Sequence, residues 1–119
     1  MKKKIFTAVF ILLIIFSVLY YELVSSIKYH EGEYSGEGRG YLSDIKVNVT
    51  TGKKVIENIE IVSEDENPEI AKIVYPLLIE KIKTSNSADI DIITGATLTS
   101  EGFIEAVSNA LGQAERAVK

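Results

Sequence analysis

The feature that most limits how this chain can fold is the uncharged apolar run Ile5–Tyr21, which follows three consecutive lysines. A helix rises about 1.5 Å per residue, so a run of this length comes close to the shortest helix that spans a bilayer. Lysines at one end and two tyrosines, Tyr20 and Tyr21, at the other are typical of a span whose N-terminus is cytoplasmic. We therefore predict a single-pass membrane anchor over residues 1–24, with the rest of the chain extracytoplasmic. A cleaved signal peptide ending near Val24–Ser26 is the alternative.

The charge and cysteine content narrow the class of protein. The chain has 13 basic and 17 acidic side chains, and three of the basic ones precede the apolar run. The exported part is therefore acidic, which argues against a nucleic-acid partner because such binding needs a basic surface. Cysteine is absent, so disulfides and thiolate metal ligands are excluded. We also find no paired carboxylates, nucleophile–histidine pair or zinc-ligand spacing, and predict neither a metal site nor catalytic residues.

Three segments after the apolar run have the patterns of β-strands. Glycines alternate along Gly32–Tyr41, as in a twisted strand with glycine on one face. Apolar and polar residues alternate over Ile45–Thr50, and a similar strand, Val55–Val62, follows a turn at Thr51–Lys54. The sequence therefore predicts an antiparallel meander of three strands.

Two later segments, near 70–83 and 100–116, have the apolar spacing of amphipathic helices. Pro76 interrupts the first segment, so we expect it either in the first turn of a main helix or at a kink. The second helix is expected to begin near Ser100, with Thr99 or Ser100 as its N-cap.

The acidic run Ser63–Glu69 connects the predicted sheet to the first of these helices. Its consecutive carboxylates lack the rigid spacing of a calcium loop, so we interpret the run as a solvated loop. The fold class that follows is α+β. It comprises an N-terminal transmembrane helix, a polar linker over residues 25–33 and a small domain over residues 34–119, in which helices pack on one face of the meander.

The most specific pattern in the chain lies directly before the last predicted helix. Thr94-Gly95-Ala96-Thr97 is a turn of small residues that ends in a hydroxyl. Glycine permits positive φ or the close approach of a ligand, and the free amide groups at a helix start favour a phosphate. From these residues alone, a capped helix after a glycine turn and a phosphate site both stay open.

The arrangement Asp91-x-x-Thr94-Gly95-Ala96-Thr97 resembles the flavinylation motif of the FMN-binding domain family, and Leu98-Thr99-Ser100 continues the likeness. In that family the last hydroxyl residue of the motif carries FMN through a phosphoester. A dedicated flavin transferase installs it from FAD with a divalent metal such as magnesium. Carried over by position, the resemblance implies that Thr97 is the acceptor, and the implied cofactor-binding or recognition residues are Asp91, Thr94, Gly95, Ala96, Leu98 and Thr99.

The resemblance covers residues 32–112 but is incomplete. Many family members carry a histidine-containing segment that ends in Thr-Pro-Gly near the acidic run, and its histidine and glycine are missing here. Four other residues are possible flavin neighbours, although ordinary strand or core packing is the simpler explanation for each: Tyr34, Arg39, Tyr41 and Tyr75.

The resemblance implies a one-flavin electron carrier tethered outside the membrane. Its partners would be the flavin transferase and a membrane-bound electron donor or other redox subunits. Two alternatives stay open, namely a small anchored binding or sensory module without flavin and a domain that binds FMN noncovalently.

Overall fold

The computed structural model describes residues 2–25 and 28–118, with side chains over 4–21 and 28–116. The elements follow the order α1 (Lys2–Ser25), β1 (Gly32–Arg39), β2 (Asp44–Thr51), β3 (Ile56–Ser63), α2 (Pro68–Ser85) and α3 (Thr97–Val118). The predicted α+β class, with an apolar helix ahead of the sheet, is confirmed.

Helix α1 is apolar on all sides. Its described side chains, from Lys4 to Tyr21, are all exposed, and a helix that is apolar all round is typical of a lipid environment. Within the described ranges it is the one helix long and apolar enough to cross a membrane. A signal sequence meets the same criterion, so the anchor and its orientation remain predictions.

The three strands form one antiparallel sheet in the order β1-β2-β3, as the alternating pattern predicted. Gly36 of β1 pairs with Val47 of β2. Ile45, Val47 and Val49 are buried, whereas Lys46 between them is exposed. One face of β2 therefore lies in the core and the other faces solvent.

Helix α3 lies directly on β1, and the glycines of β1 make this close contact possible. A Cβ atom at Gly36 would overlap the carbonyl oxygen of Ala106, and one at Gly38 would overlap that of Gly102. Both obstacles are backbone atoms of α3, which cannot move aside without shifting the helix. The glycine face predicted for this strand is thus the face that receives α3.

Both later helices lie over the sheet, with α3 across β1 and β2 and α2 against β3 and α3. Phe103, Val107 and Ala110 of α3 are fully or almost fully buried. Tyr75 of α2 packs against Phe103 with ring centroids 5.4 Å apart. The apolar spacing in the sequence therefore identified the buried face of α3. It identified that of α2 only in part, because Ile73 and Leu77 have the predicted spacing but are 63% and 42% exposed.

Helix α2 is a single helix that runs through Pro76. Asn67 caps its start by accepting a 2.9 Å hydrogen bond from the backbone N–H of Glu69, and Pro68 occupies the first turn. The expectation that Pro76 begins the main helix is therefore wrong. Pro76 lies on the exposed side, where the carbonyl group that loses its amide partner can bond water instead.

The described part of the predicted linker is packed against the domain. Tyr29 is fully buried, and its hydroxyl donates a 2.8 Å hydrogen bond to the carbonyl oxygen of Asn86. Burial, with a smaller contribution from Glu115, raises the pKa of Tyr29 to about 12. The N–H groups of Lys28 and Tyr29 both donate to the carbonyl oxygen of Lys53. Residues 28–31, which we assigned to a polar linker, thus join the fold before β1 begins at Gly32.

Candidate functional site

The motif begins with a tight turn. The N–H of Ala96 donates a 3.0 Å hydrogen bond to the carbonyl oxygen of Ile93, and Gly95 has φ of 90°. Turns with positive φ at the third position favour glycine. Apart from the glycine itself and its two chain neighbours, no heavy atom of the described residues lies within 4 Å of the position that a Cβ of Gly95 would take. Backbone conformation, and not crowding, is therefore the reason for glycine in this turn.

Thr97 is the first residue of α3, three residues before the predicted start of this helix. The first intrahelical hydrogen bond runs from the N–H of Ser100 to the carbonyl oxygen of Ala96, at 2.9 Å. The expected N-cap role of Thr99 or Ser100 is therefore wrong, because both residues lie inside the first turn. Thr97 is exposed, and none of the described residues is hydrogen-bonded to its hydroxyl.

The two hydroxyl residues that follow have other partners. Ser100 is fully buried, and its Oγ accepts a hydrogen bond from the N–H of Ile93 at 3.2 Å. This contact ties the segment before the turn to the helix after it. Thr99 is 5% exposed, and its Oγ1 donates a 2.9 Å hydrogen bond to Oε1 of Glu66. These contacts fix the conformation of the motif around Thr97.

Glu66 contradicts our interpretation of the acidic run as a solvated loop at one position, whereas its neighbours Asp65 and Asn67 are exposed as expected. Its side chain is 3% exposed and accepts hydrogen bonds from the N–H groups of Tyr41 (2.5 Å), Leu42 (2.7 Å) and Ser43 (2.8 Å). The Ser43 hydroxyl donates a further bond at 3.1 Å. Burial by itself raises the pKa of the carboxyl, but the hydrogen bonds from these residues and from Thr99 outweigh it, so the net pKa is lowered from 4.5.

The β1–β2 loop, the acidic segment and the motif therefore meet at one end of the domain. A hollow of about 330 Å³ lies beside Thr97, at the lower end of the size range of ligand pockets. Its apolar wall includes Tyr41 and Leu98, which are 63% and 50% exposed. The residues that line it are Tyr41, Ile70, Gly95, Ala96, Thr97, Leu98 and Thr99.

The remaining motif residues lie outside this hollow. Thr94 is exposed in the turn. Asp91 is also exposed and lines a separate groove beside α2, together with Leu77 and Ile90. The structure therefore brings Gly95, Ala96, Thr97, Leu98 and Thr99 together and leaves Asp91 and Thr94 aside.

Of the four possible flavin neighbours, Tyr41 alone borders the hollow. Arg39 pairs with Asp44 at 3.5 Å on the surface, and the Tyr34 hydroxyl donates to the carbonyl oxygen of His30. Tyr75 is buried and donates to the Glu64 carboxylate at 3.0 Å. Burial is the largest cause that raises the pKa of Tyr75. This hydrogen bond and the negative charges of Glu64 and Glu66 raise the pKa further.

Comparison with known proteins identifies the family. Residues 40–112 match the FMN-binding domain family, and this range contains the Tyr41–Ser43 loop, Glu66 and the whole motif. The chain belongs to the FMN-binding domain family. It is also 35% identical over 85 residues to the NADH:acrylate oxidoreductase of Vibrio harveyi, a match that covers 71% of this chain and 8% of that protein.

Family membership makes FMN the cofactor that this FMN-binding domain is expected to hold, and it supports a flavin-binding role in electron transfer. The chain spans less than a tenth of the length of the oxidoreductase that it resembles. The shared segment therefore corresponds to a small part of that enzyme's length and not to the whole enzyme.

Proposed function

We propose that the chain is a membrane-anchored, extracytoplasmic flavoprotein that carries FMN through a phosphoester on Thr97 and acts as a one-flavin electron carrier. The observation that carries this proposal is the position of Thr97. Within the region that matches the FMN-binding family, it is an exposed hydroxyl at the first residue of α3, beside a small-residue turn.

The surroundings of Thr97 fit a phosphate-linked group. The first amide groups of an α-helix have no carbonyl partner in a preceding turn, and the helix dipole favours an anion there by about 0.3–1 kcal/mol. Thr97 is exposed and the Cβ position of its neighbour Gly95 is open, so both a modifying enzyme and a phosphate can reach the hydroxyl. The apolar wall formed by Tyr41 and Leu98 offers a surface on which part of a flavin ring can pack.

Attachment is a phosphoryl transfer from FAD and involves no change of oxidation state. Oγ1 of Thr97 bonds to the phosphorus of the FMN half of FAD, and the pyrophosphate bond to the AMP half breaks. AMP leaves, and the hydroxyl proton passes to a base of the flavin transferase or to water. Magnesium belongs to the transferase in this scheme, since the domain is proposed to hold no metal of its own.

Bound FMN supplies reversible transfer of one or two electrons, while the protein sets its position and surroundings. We propose that the electrons come from a reduced membrane-bound donor and pass to another redox subunit. The resemblance to a segment of an NADH:acrylate oxidoreductase supports this role, because it associates the domain with a redox enzyme. A covalent link suits an extracytoplasmic carrier, since a dissociated cofactor would be lost to the surroundings.

The proposal is tested on the full-length chain, purified in detergent from cells that also contain an active flavin transferase. The expected product is yellow, is bleached by dithionite, recovers its colour in air, and keeps the flavin in denaturant. A protein that releases its flavin in denaturant would instead be a noncovalent FMN-binding domain. A colourless protein would leave the anchored binding module as the better description.

A further inference from the structure

The Glu66 carboxylate links the motif helix to the β1–β2 loop. Oε1 accepts hydrogen bonds from Thr99 Oγ1 at 2.9 Å and from the N–H of Tyr41 at 2.5 Å. Oε2 accepts from the N–H groups of Leu42 and Ser43 and from the Ser43 hydroxyl. One buried side chain thus holds two segments that both border the hollow beside Thr97.

We propose that Glu66 is the positioning residue of the attachment site: through Thr99 and the Tyr41–Ser43 loop, it sets the orientation in which α3 presents the Thr97 hydroxyl. This inference rests on the proposed function, because the reaction that it affects is the modification of Thr97. Glu66 acts through Thr99 and the loop, and no contact with Thr97 itself is required.

The geometry explains why an ionised carboxylate occupies this position. Five donors converge on its two oxygens, and an ionised carboxylate only accepts hydrogen bonds, with about four lone-pair sites. A glutamine would direct an NH₂ group at some of these donors and leave them unpaired. The loop is also shaped around the carboxylate, since a Cβ at Gly40 would overlap Oε1 of Glu66.

The effect on Thr97 follows from the spacing in the first turn of α3. Thr99 lies two residues after Thr97 and is buried, whereas Thr97 is exposed. Fixing Thr99 to Glu66 therefore fixes the rotation of this turn and directs Thr97 outward beside the loop. If the bond to Glu66 is lost, the turn can rotate or fray, and the transferase then meets the hydroxyl in the required orientation less often.

Glu64 provides a matched control in the same segment. Its Oε2 accepts hydrogen bonds from the N–H of Glu66 at 2.8 Å and from the Tyr75 hydroxyl at 3.0 Å. None of its described hydrogen bonds reaches the Tyr41–Ser43 loop or the motif. A substitution at Glu64 therefore weakens the same region of the fold without removing the link to Thr99.

The experiment measures the rate of FMN incorporation into the full-length chain by a flavin transferase supplied with FAD and magnesium. Glu66→Gln and Thr99→Val are each expected to slow incorporation by at least about tenfold, the factor that corresponds to loss of one hydrogen bond to a charged group. The double variant is expected to be no slower than Glu66→Gln, because both changes break the same link. Thr99→Ser keeps the hydroxyl, so its rate of incorporation is expected to lie within about threefold of the wild-type rate. The rate of the control variant Glu64→Gln should lie within about twofold of the wild-type rate.

Circular dichroism and thermal midpoints establish that the compared variants are folded. The inference is overturned if folded Glu66→Gln is modified at the wild-type rate, or if Glu64→Gln slows the reaction as much as Glu66→Gln does. It is also overturned if the double variant is slowed by the product of the factors measured for Glu66→Gln and Thr99→Val. Failure of the wild type to accept FMN is a different outcome, which removes the proposed function together with the positioning role. Where Glu66→Gln does not fold, Thr99→Val compared with Thr99→Ser decides the question alone.

Discussion

The hydroxyl of Thr99 donates a 2.9 Å hydrogen bond to the carboxylate of Glu66, 33 residues earlier in the chain. This bond joins the motif helix to a segment whose sequence is typical of a solvated acidic loop. The same carboxylate is bonded by three consecutive backbone amide groups of the β1–β2 loop. The surroundings of Thr97 therefore depend on contacts between segments that lie far apart in sequence.

Glu66→Gln is expected to lower the free energy of unfolding at pH 7 by about 3 kcal/mol, because it disrupts several hydrogen bonds to a buried charge. The pKa of the wild-type carboxyl is lowered from 4.5, so the unfolded state binds the proton more readily. The stabilisation is therefore complete above the unfolded pKa and is lost as pH falls through the folded pKa. Urea unfolding between pH 7 and pH 3 should show that the wild type and the variant differ less in free energy of unfolding as the solution becomes more acidic.

The control for this prediction is Asp44→Asn, which removes an exposed ion pair with Arg39. It should change the free energy of unfolding by less than about 0.5 kcal/mol. The free energies of unfolding of wild type and Glu66→Gln could instead differ by the same amount at every pH. That result would show that the ionised carboxylate is not the stabilising form.

Gly36→Ala is expected to destabilise the domain by about 3 kcal/mol, because the new methyl group would overlap the backbone carbonyl of Ala106. Gly112→Ala makes the same chemical change inside α3, where no heavy atom of the described residues, apart from the nearby backbone of the helix itself, lies within 4 Å of the added carbon. It should stabilise the domain by about 0.5–1 kcal/mol, since alanine favours helix over glycine. Urea unfolding of the two variants checks this prediction, and equal effects would contradict the close packing of α3 on β1.

Tyr29 should ionise well above the ordinary tyrosine range. Its pKa is raised from 10.0 to about 12, chiefly by burial, so its neutral form stabilises the fold below pH 10 and this contribution is lost as pH rises towards 12. The difference between the ultraviolet titrations of wild type and Tyr29→Phe should have its midpoint near pH 12. Tyr29→Phe should also cost about 1 kcal/mol at pH 7 through loss of the bond to Asn86. A midpoint near pH 10 would show that Tyr29 is accessible to solvent.

The absence of cysteine from the chain allows a clean test of membrane topology. We expect Glu60→Cys, on the exposed side of β3, to react with a membrane-impermeant maleimide from outside sealed cells. Lys4→Cys should react only after lysis, because its side of the anchor is predicted to be cytoplasmic. The protein should also stay in the membrane at high salt. Recovery of a soluble form that starts near Ile27 would instead identify the apolar segment as a cleaved signal peptide.

The sequence was sufficient to predict the strands and helices whose apolar residues recur at a regular spacing. The alternation of Ile45, Val47 and Val49 identified a half-buried strand, because side chains of a strand alternate between its two faces. Helical spacing around Phe103 and Val107 likewise identified the core face of α3. Each of these segments buries one apolar face, and the spacing of the residues on that face can be read from the sequence alone.

The misassigned residues depend on distant partners. Glu66 is buried because donors from Tyr41–Ser43 and Thr99 surround it, and nothing within the acidic run indicates this. Thr99 and Ser100 have the residue types of an N-cap, but the backbone N–H of Ser100 already bonds to the carbonyl oxygen of Ala96, so the helix begins before them. Their hydroxyls are bonded instead to Glu66 and to the N–H of Ile93. Tyr29 is a single aromatic residue in a polar stretch, without a period that could predict its burial.

The candidate site was only partly predictable for the same reason. Thr97 was identified by its motif, and its exposure is consistent with the predicted role as acceptor. Asp91 lies six residues before Thr97 in the motif, yet the structure places it in a separate groove beside α2. The motif residues that share the hollow are the consecutive ones nearest Thr97, from Gly95 to Thr99, so membership of the motif alone did not predict the separate position of Asp91.

The central claim, covalent FMN on Thr97, is tested most directly by mass mapping of peptides from the full-length chain after co-expression with a flavin transferase. One FMN phosphoryl group per chain should be found on the peptide that contains Thr97. Thr97→Val, which keeps the shape but removes the nucleophilic oxygen, should carry none, whereas Thr97→Ser should retain part of the label. Thr84→Val, a matched change at an exposed threonine of α2, should be labelled like wild type. FMN on a residue other than Thr97, or equal labelling of Thr97→Val and wild type, would contradict the account.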